Sequence, residues 1–306
     1  MNACDPATGK LLERLGYAAD ARLIIWHADD LGMCRAENQA TLDHLSRGMG
    51  NCGSIMAPCA WVPHILEASR EHPELDLGVH LTLNAEWHNY RWAPLTGRDP
   101  ASGLVDSSGY MWASVPELHR HMDIDAARAE LRAQVEYLLG QGLALTHIDT
   151  HMGAVLHPDL AGTVADLALE FNLPVLLPRS LLMNLHRFSA ANPALATAIS
   201  HALQRLERAN WPLVDVIQSC NAPAEERVAG YLEIIDSLPP GITHLLYHAA
   251  VPGDEIAAID RANWTARVAD YNAIGSDALK EALSQCPNVH AIGYRQLAGL
   301  IAGTHA

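Results

Sequence analysis

A chain of 306 residues, 49% hydrophobic and 18% charged, is long enough to bury a full core as one large α/β domain or two small ones. That balance argues against disorder and against a small disulfide-stapled scaffold. Twenty Lys and Arg against 35 Asp and Glu leave a formal net charge of −15, and such a surface repels phosphate backbones and anionic headgroups, so neither nucleic acid nor a membrane is an expected partner.

The opening MNACDPATGK lacks a basic segment followed by an apolar run, and no later stretch approaches the roughly 18 apolar residues that span a bilayer. A soluble, cytoplasmic protein is the expectation. Cys4, Cys34, Cys52, Cys59, Cys220 and Cys286 show no C-x-x-C spacing, so free thiols are expected. With 17 histidines, only a His inside a patterned cluster carries information.

Short apolar runs alternate with longer stretches of helical period, as in βαβ units. The first predicted strand, Leu23–Asp30, runs directly into Asp29, Asp30 and a Gly-containing turn. Two adjacent carboxylates must face solvent, cap the next helix or serve a cation or a proton transfer. Asn51–Pro58 is the second predicted strand, and Asp76–Leu81 is the third, with His80 near its end. A lone His there is more often a hydrogen-bonded core residue than a ligand.

The irregular segment 84–112 follows, holding Trp87, Tyr90, Trp92, Tyr110 and Trp112. Flat rings with polar edges suit stacking on a sugar, and Trp87 and Trp92 are the substrate-binding candidates; a hydrophobic cluster or a subunit contact is the alternative. A helix is predicted over Glu117–Leu139, then a strand over Thr146–His151. Alternation places His147, Asp149 and His151 on one face, which is costly to bury unless they serve one another or a cation. Helix Pro158–Phe171, strand Pro174–Arg179, helix Pro193–Ala209, strand Leu213–Cys220, helix Ala224–Leu238 and strands Ile242–Ala249 and Asn288–Tyr294 complete the pattern.

Eight strands with crossover helices favour a barrel-like α/β fold, and the absence of a linker or repeat favours a single domain over 1–306. No glycine-rich phosphate loop follows a strand. In α/β folds the C-terminal strand ends carry the site, and there Asp30, His80 and His151 can supply one carboxylate and two imidazoles to a divalent ion. His147 and Asp149 can orient those imidazoles from behind, and Asp29 is left free to accept a proton.

LIIWHADDLG at Leu23–Gly32, GVHLTL at Gly78–Leu83 and THIDTH at Thr146–His151 together resemble the YdjC/ChbG-type carbohydrate deacetylases, in order and spacing over most of the chain. The resemblance implies a TIM-barrel-like fold related in chemistry to polysaccharide deacetylases, one divalent metal ion (Mg or Zn), and hydrolysis of the acetamide of an N-acetylated sugar. It places the metal ligands on Asp30, His80 and His151 and the catalytic base on Asp29. Two features depart from the family: Met152–Leu156 stands where many members have further histidines, and His248 is followed by Ala249-Ala250 rather than Pro-Gly.

For the general acid His248 is nominated, because it ends a predicted strand; a packed or capping role is the alternative. Arg179, at the end of PVLLPR, is a candidate to orient Asp29 or a sugar hydroxyl, with a structural ion pair as the alternative. A short acetylated saccharide is the expected partner, and a homo-oligomer is left open. Two other readings compete: a non-haem iron oxygenase, and a non-catalytic metal- or sugar-binding protein on the same barrel.

Overall fold

The computed structural model describes residues 5–179 and 192–302. In chain order the elements are α1 (Pro6–Arg14), β1 (Arg22–Leu31), α2 (Arg35–Ser46), β2 (Cys52–Ile55), α3 (Val62–Glu71), β3 (Leu77–Leu81), α4 (Val115–His121), α5 (Ile124–Gly140), β4 (Ile148–Thr150), α6 (Ala161–Phe171), α7 (Pro193–Arg208), β5 (Val216–Ser219), α8 (Arg227–Ser237), β6 (Gly241–Tyr247), α9 (Asp254–Ile259), α10 (Trp264–Ile274), α11 (Asp277–Gln285), β7 (Val289–Ala291) and α12 (Tyr294–Ala302).

All strand pairs are parallel, in the order β4-β3-β2-β1-β6-β5. β7 pairs with Arg22–Ile24 of β1, on the first half of the strand, while β2 takes up the second half from His27 onward. The predicted strand Pro174–Arg179 is reduced to one bridge, Val175 to Ile148. Pro174 and Pro178 offer no N–H to a ladder. This segment nevertheless bonds Ile148 on one side and, through Arg179 N–H to the Val214 carbonyl at 2.8 Å, the approach to β5 on the other, which curls the sheet into a barrel-like form.

The predicted helix Glu117–Leu139 is in fact two, α4 and α5. Met122 is extended and Asp123 starts afresh, its carboxylate accepting the Ala126 N–H at 2.8 Å as an N-cap. Predicted helix Ala224–Leu238 begins with a short 3-10 turn, Ala224–Glu226, before α8. The segment 84–112 stays irregular, apart from a 3-10 turn and the bridge Val105 to Met111. Among the described residues Cys34, Cys52, Cys59, Cys220 and Cys286 are free thiols; Cys4 lies outside them.

Strand alternation sorts the core. Ile24, Trp26 and Ala28 of β1, with Leu77, Val79 and Leu81 of β3, pack outward against the helices. Leu23 and Ile25 join Ile242, Ile292 and Tyr294, with Leu11 and Leu12 of α1 and Leu297 of α12, in an apolar cluster of their own. Above it the barrel interior turns polar: His27, Ser54, His80, His147, Asp149 and His244 are all buried. Among the described residues no helix is long and apolar enough to cross a membrane.

Candidate metal centre and active-site cavity

In a regular strand Asp29 and Asp30 would point to opposite faces. Here Asp30 takes a left-handed backbone, φ 66°, and the pairing of β1 with β2 shifts register between Ala28 and Leu31. Asp tolerates that conformation better than most residues, and it brings both carboxylates to one cavity. Met152, directly after His151, is also left-handed, φ 50°. The ends of β1 and β4 thus turn sharply at or beside the candidate site residues.

Three of those residues meet. The Asp30 Oδ1 atom lies 3.4 Å from His80 Nε2 and 3.2 Å from His151 Nδ1. One ligand atom from each of Asp30, His80 and His151 falls within 4.8 Å of the others, and all three side chains are buried. The outer nitrogen of each imidazole is bonded to a carboxylate: His80 Nδ1 to Asp149 at 2.9 Å, and His151 Nε2 to Glu86 at 3.0 Å. Ser54 braces the first of these pairs, donating to Asp149 at 2.9 Å. Each imidazole thereby has its outer N–H fixed by a carboxylate and its inner nitrogen facing Asp30, the nitrogen that would take up a metal on losing its proton.

The donor set fits a divalent cation with open positions for water and substrate. The charges agree. Burial opposes the protonation of His80 and His151, yet the neighbouring carboxylates overcome it, holding His80 well above its ordinary range and His151 at about 9. Burial likewise opposes ionisation of Asp30, but His248, His151 and His80 hold its carboxyl well below the usual range. A site that draws positive charge this strongly onto its own imidazoles is suited to a cation.

The cavity above has a volume of about 460 Å³. Its polar side carries Asp29, Asp30, His80, Glu86, His151, His248 and Arg267. Its apolar side includes Val155, Leu156, Leu176, Ile217 and Leu246. Asp29 Oδ1 is held by His27 Nδ1 at 2.7 Å, and its Oδ2 lies 3.7 Å from His248 Nε2. His248, about one-third exposed, also stands 3.8 Å from Asp30 Oδ2.

Other expected residues are placed differently. Asp149 sits behind His80, bonded to its Nδ1, whereas His147 lies deeper and bonds His27 rather than a candidate ligand. Trp87 lines the cavity. Trp92 does not; it is buried, its indole N–H donating to the Asn84 carbonyl and its ring 6.3 Å from that of His151, so it backs the site. Arg179 is not brought to the cavity: its guanidinium lies 3.4 Å from Asp215 and 4.0 Å from Glu207, among α1 and α7 residues, the structural ion pair that was the alternative.

Sequence reasoning missed Glu86 and Arg267. Arg267 of α10 donates to Asp30, Glu37 and Asp260 at 2.9, 2.7 and 2.9 Å, and stands over the Trp87 ring. A single Arg in a helix and a single Glu in a loop have no periodicity to announce them. Glu37 could have been suspected only as a carboxylate on the buried face of α2; burial pushes it up to about 8 against the pull of Arg267.

The family model of YdjC-like proteins matches residues 22–285. The chain belongs to that family. Among its relatives, a carbohydrate deacetylase of Thermus thermophilus is 36% identical over 276 residues, covering 90% of this chain and 94% of the relative. Another relative of this YdjC-like chain, a carbohydrate deacetylase of Thermoanaerobacter pseudethanolicus, is 25% identical over 238 residues, 78% of this chain and 85% of its own. The fold of this YdjC-like chain is also that of an Enterococcus faecalis protein named for cellobiose-phosphate cleavage, with a TM-score of 0.75 at 19% identity, over 90% of this chain and 99% of the other.

Proposed function

We propose that this YdjC-like protein is a metal-dependent carbohydrate deacetylase, removing the acetyl group from an N-acetylated sugar or short oligosaccharide. The observation that carries the reading is the convergence of Asp30, His80 and His151 from β1, β3 and β4, each imidazole backed by a carboxylate, beside a second carboxylate that is not needed as a ligand. A site that only binds has no use for Asp29. The names of the two deacetylase relatives, one similar over nine-tenths of this chain, support the same reaction class.

Amide hydrolysis needs a stronger nucleophile than water, a countercharge for the oxyanion and a proton for the leaving amine. Asp30, His80 and His151 would hold a divalent ion, whose Lewis acidity would acidify water and polarise the acetyl carbonyl. Asp29 accepts the proton of the attacking water through Oδ2, the oxygen left open to the cavity by the His27 bond to Oδ1. His248, facing the same oxygen across the cavity, donates to the amine. Trp87 offers an aromatic face to a sugar ring at the rim.

The net charge of −15 favours a neutral saccharide over a polyanion. Mass spectrometry of a panel of N-acetylated mono- and oligosaccharides incubated with metal-loaded protein tests the reading. Loss of an acetyl group from a panel member is the expected result; an unchanged panel with folded, metal-loaded protein removes the substrate class.

A further inference from the structure

Below the metal centre the barrel holds imidazoles where such interiors are ordinarily filled by branched apolar side chains. They are connected. His27 Nδ1 lies 2.7 Å from Asp29 Oδ1, and His27 Nε2 lies 2.7 Å from His147 Nε2. The other nitrogen of His147, Nδ1, is 3.0 Å from Thr146 Oγ1, and that hydroxyl meets Asp76 Oδ1. Asp76 precedes β3, at the opposite end of the strands from the cavity, and its Oδ2 accepts the Arg295 backbone N–H at 2.7 Å.

Both rings are wholly buried and held by their surroundings. His147 stacks on Tyr294 with centroids 4.0 Å apart, and His27 lies against His244 at 4.6 Å. Asp149 Oδ2 is 3.6 Å from His27 Nε2, too far to compete with His147 for that nitrogen. A Cβ at Gly78 would stand 2.5 Å from His147 Nε2, so a glycine in β3 leaves the room the ring occupies.

Counting hydrogens leaves two directions. A neutral imidazole has one N–H, so of two facing Nε2 atoms one donates and the other accepts. If Asp76 carries a proton it donates to Thr146, Thr146 donates to His147 Nδ1, His147 Nε2–H donates to His27 Nε2, and His27 Nδ1–H donates to the Asp29 carboxylate. If Asp76 is ionised, every bond reverses and a neutral His27 turns a bare lone pair toward Asp29. A contact of 2.7 Å between His27 Nδ1 and a carboxylate oxygen of Asp29 needs a hydrogen between the two atoms, which favours the first direction, and burial, which raises the Asp76 carboxyl above its ordinary range, acts in the same sense.

We propose that the buried file Asp76–Thr146–His147–His27 sets the tautomer of His27 and thereby orients Asp29, so that these four act as positioning residues for a group at the far end of the barrel. This rests on the reading of Asp29 as the base. His27 Nδ1–H pins Oδ1 and leaves Oδ2 toward the cavity. The file makes a sharp distinction at Asp76. An Asn there keeps the direction, its NH₂ donating to Thr146 and its carbonyl accepting from Arg295 N–H.

The test is nitrogen NMR of the full chain labelled with ¹⁵N-histidine, signals assigned with His27→Gln and His147→Gln, alongside kcat and KM for acetate release. The Nδ1–H tautomer of His27 is expected in the wild type, Thr146→Ser and Asp76→Asn. Thr146→Val, which lacks the hydroxyl, is expected to show mixed tautomers and a kcat lower by about tenfold with KM within about twofold, rescued in Thr146→Ser. An Nε2–H tautomer of His27 in the wild type, or Asp76→Asn behaving as Thr146→Val should, overturns the proposal. Should Thr146→Val not fold, the wild-type and Asp76→Asn spectra decide it. Tautomers are read without substrate, so a wild type that releases no acetate but shows the Nδ1–H form removes only the deacetylase reading.

Discussion

Arg267 Nη1 donates to Asp30 Oδ2 at 2.9 Å, on the oxygen of that carboxylate turned away from His80 and His151. The guanidinium thus occupies one oxygen of Asp30 and leaves Oδ1 facing His80 and His151. The same side chain neutralises Glu37 and Asp260, both buried. Arg267→Met therefore leaves three buried carboxylates without their common cation, and a loss of about 3–5 kcal/mol is expected by urea denaturation of the metal-free protein. A loss under about 1 kcal/mol would mean that the network relaxes to solvent.

Asp149 and Glu86 hold the outer nitrogens of the two imidazoles. Asp149→Asn and Glu86→Gln keep the side-chain shapes but weaken the charge that fixes each ring. Metal affinity is expected to fall by roughly 10- to 100-fold in each, measured by calorimetric titration. Affinity equal to wild type in both would show that the rings are positioned by packing alone.

Two tryptophans of the irregular segment have separate roles in the structure, and they should separate in experiment. Trp87 lines the cavity, so Trp87→Ala is expected to raise KM about two- to tenfold with little effect on stability. Trp92 is buried behind His151, so Trp92→Ala is expected to cost about 3–5 kcal/mol of stability. Thermal melts together with saturation kinetics distinguish the two.

His44 of α2 supplies a dependence on pH away from the cavity. It is buried against the Tyr247 hydroxyl and the Tyr271 carbonyl, and burial lowers its pKa below the ordinary 6.5. As pH falls through 6.5 the unfolded chain takes up a proton at this position that the fold refuses. Its contribution is therefore present above 6.5 and is lost toward the lower folded value, at up to about 1.4 kcal/mol per pH unit. His80 and His151 are shifted upward and act in the opposite sense, so the comparison is made between wild type and His44→Asn. A shallower fall in stability from pH 7 to pH 5 is expected in the variant; parallel curves would contradict it.

Strand positions were legible because alternation and apolar runs mark them, and alternation along THIDTH puts His147, Asp149 and His151 on one face. Depth along that face was not legible: a period of two gives the side of a strand but not the layer, and only the stacked position of His147 against Tyr294 separates it from the ligands. Arg179 was misplaced for a related reason. Proximity to the end of a predicted strand stood in for proximity to the mouth, but Pro174 and Pro178 leave only a bridge there. The left-handed turn at Asp30, which puts adjacent carboxylates in one cavity, has no sequence signal beyond the tolerance of Asp for that conformation. Glu86 and Arg267 arrive from a loop and a distant helix, and contacts of that range follow from the curled sheet rather than from any local pattern.

The most direct test of the central claim is the initial rate of acetate release from an N-acetylated sugar as divalent metal is titrated into metal-stripped protein, in wild type and Asp29→Asn. The account predicts a wild-type rate that rises in proportion to bound metal, and an Asp29→Asn variant that binds the same metal but turns over about 10²- to 10⁴-fold more slowly. A rate independent of metal, or an Asp29→Asn variant as fast as wild type, would contradict it.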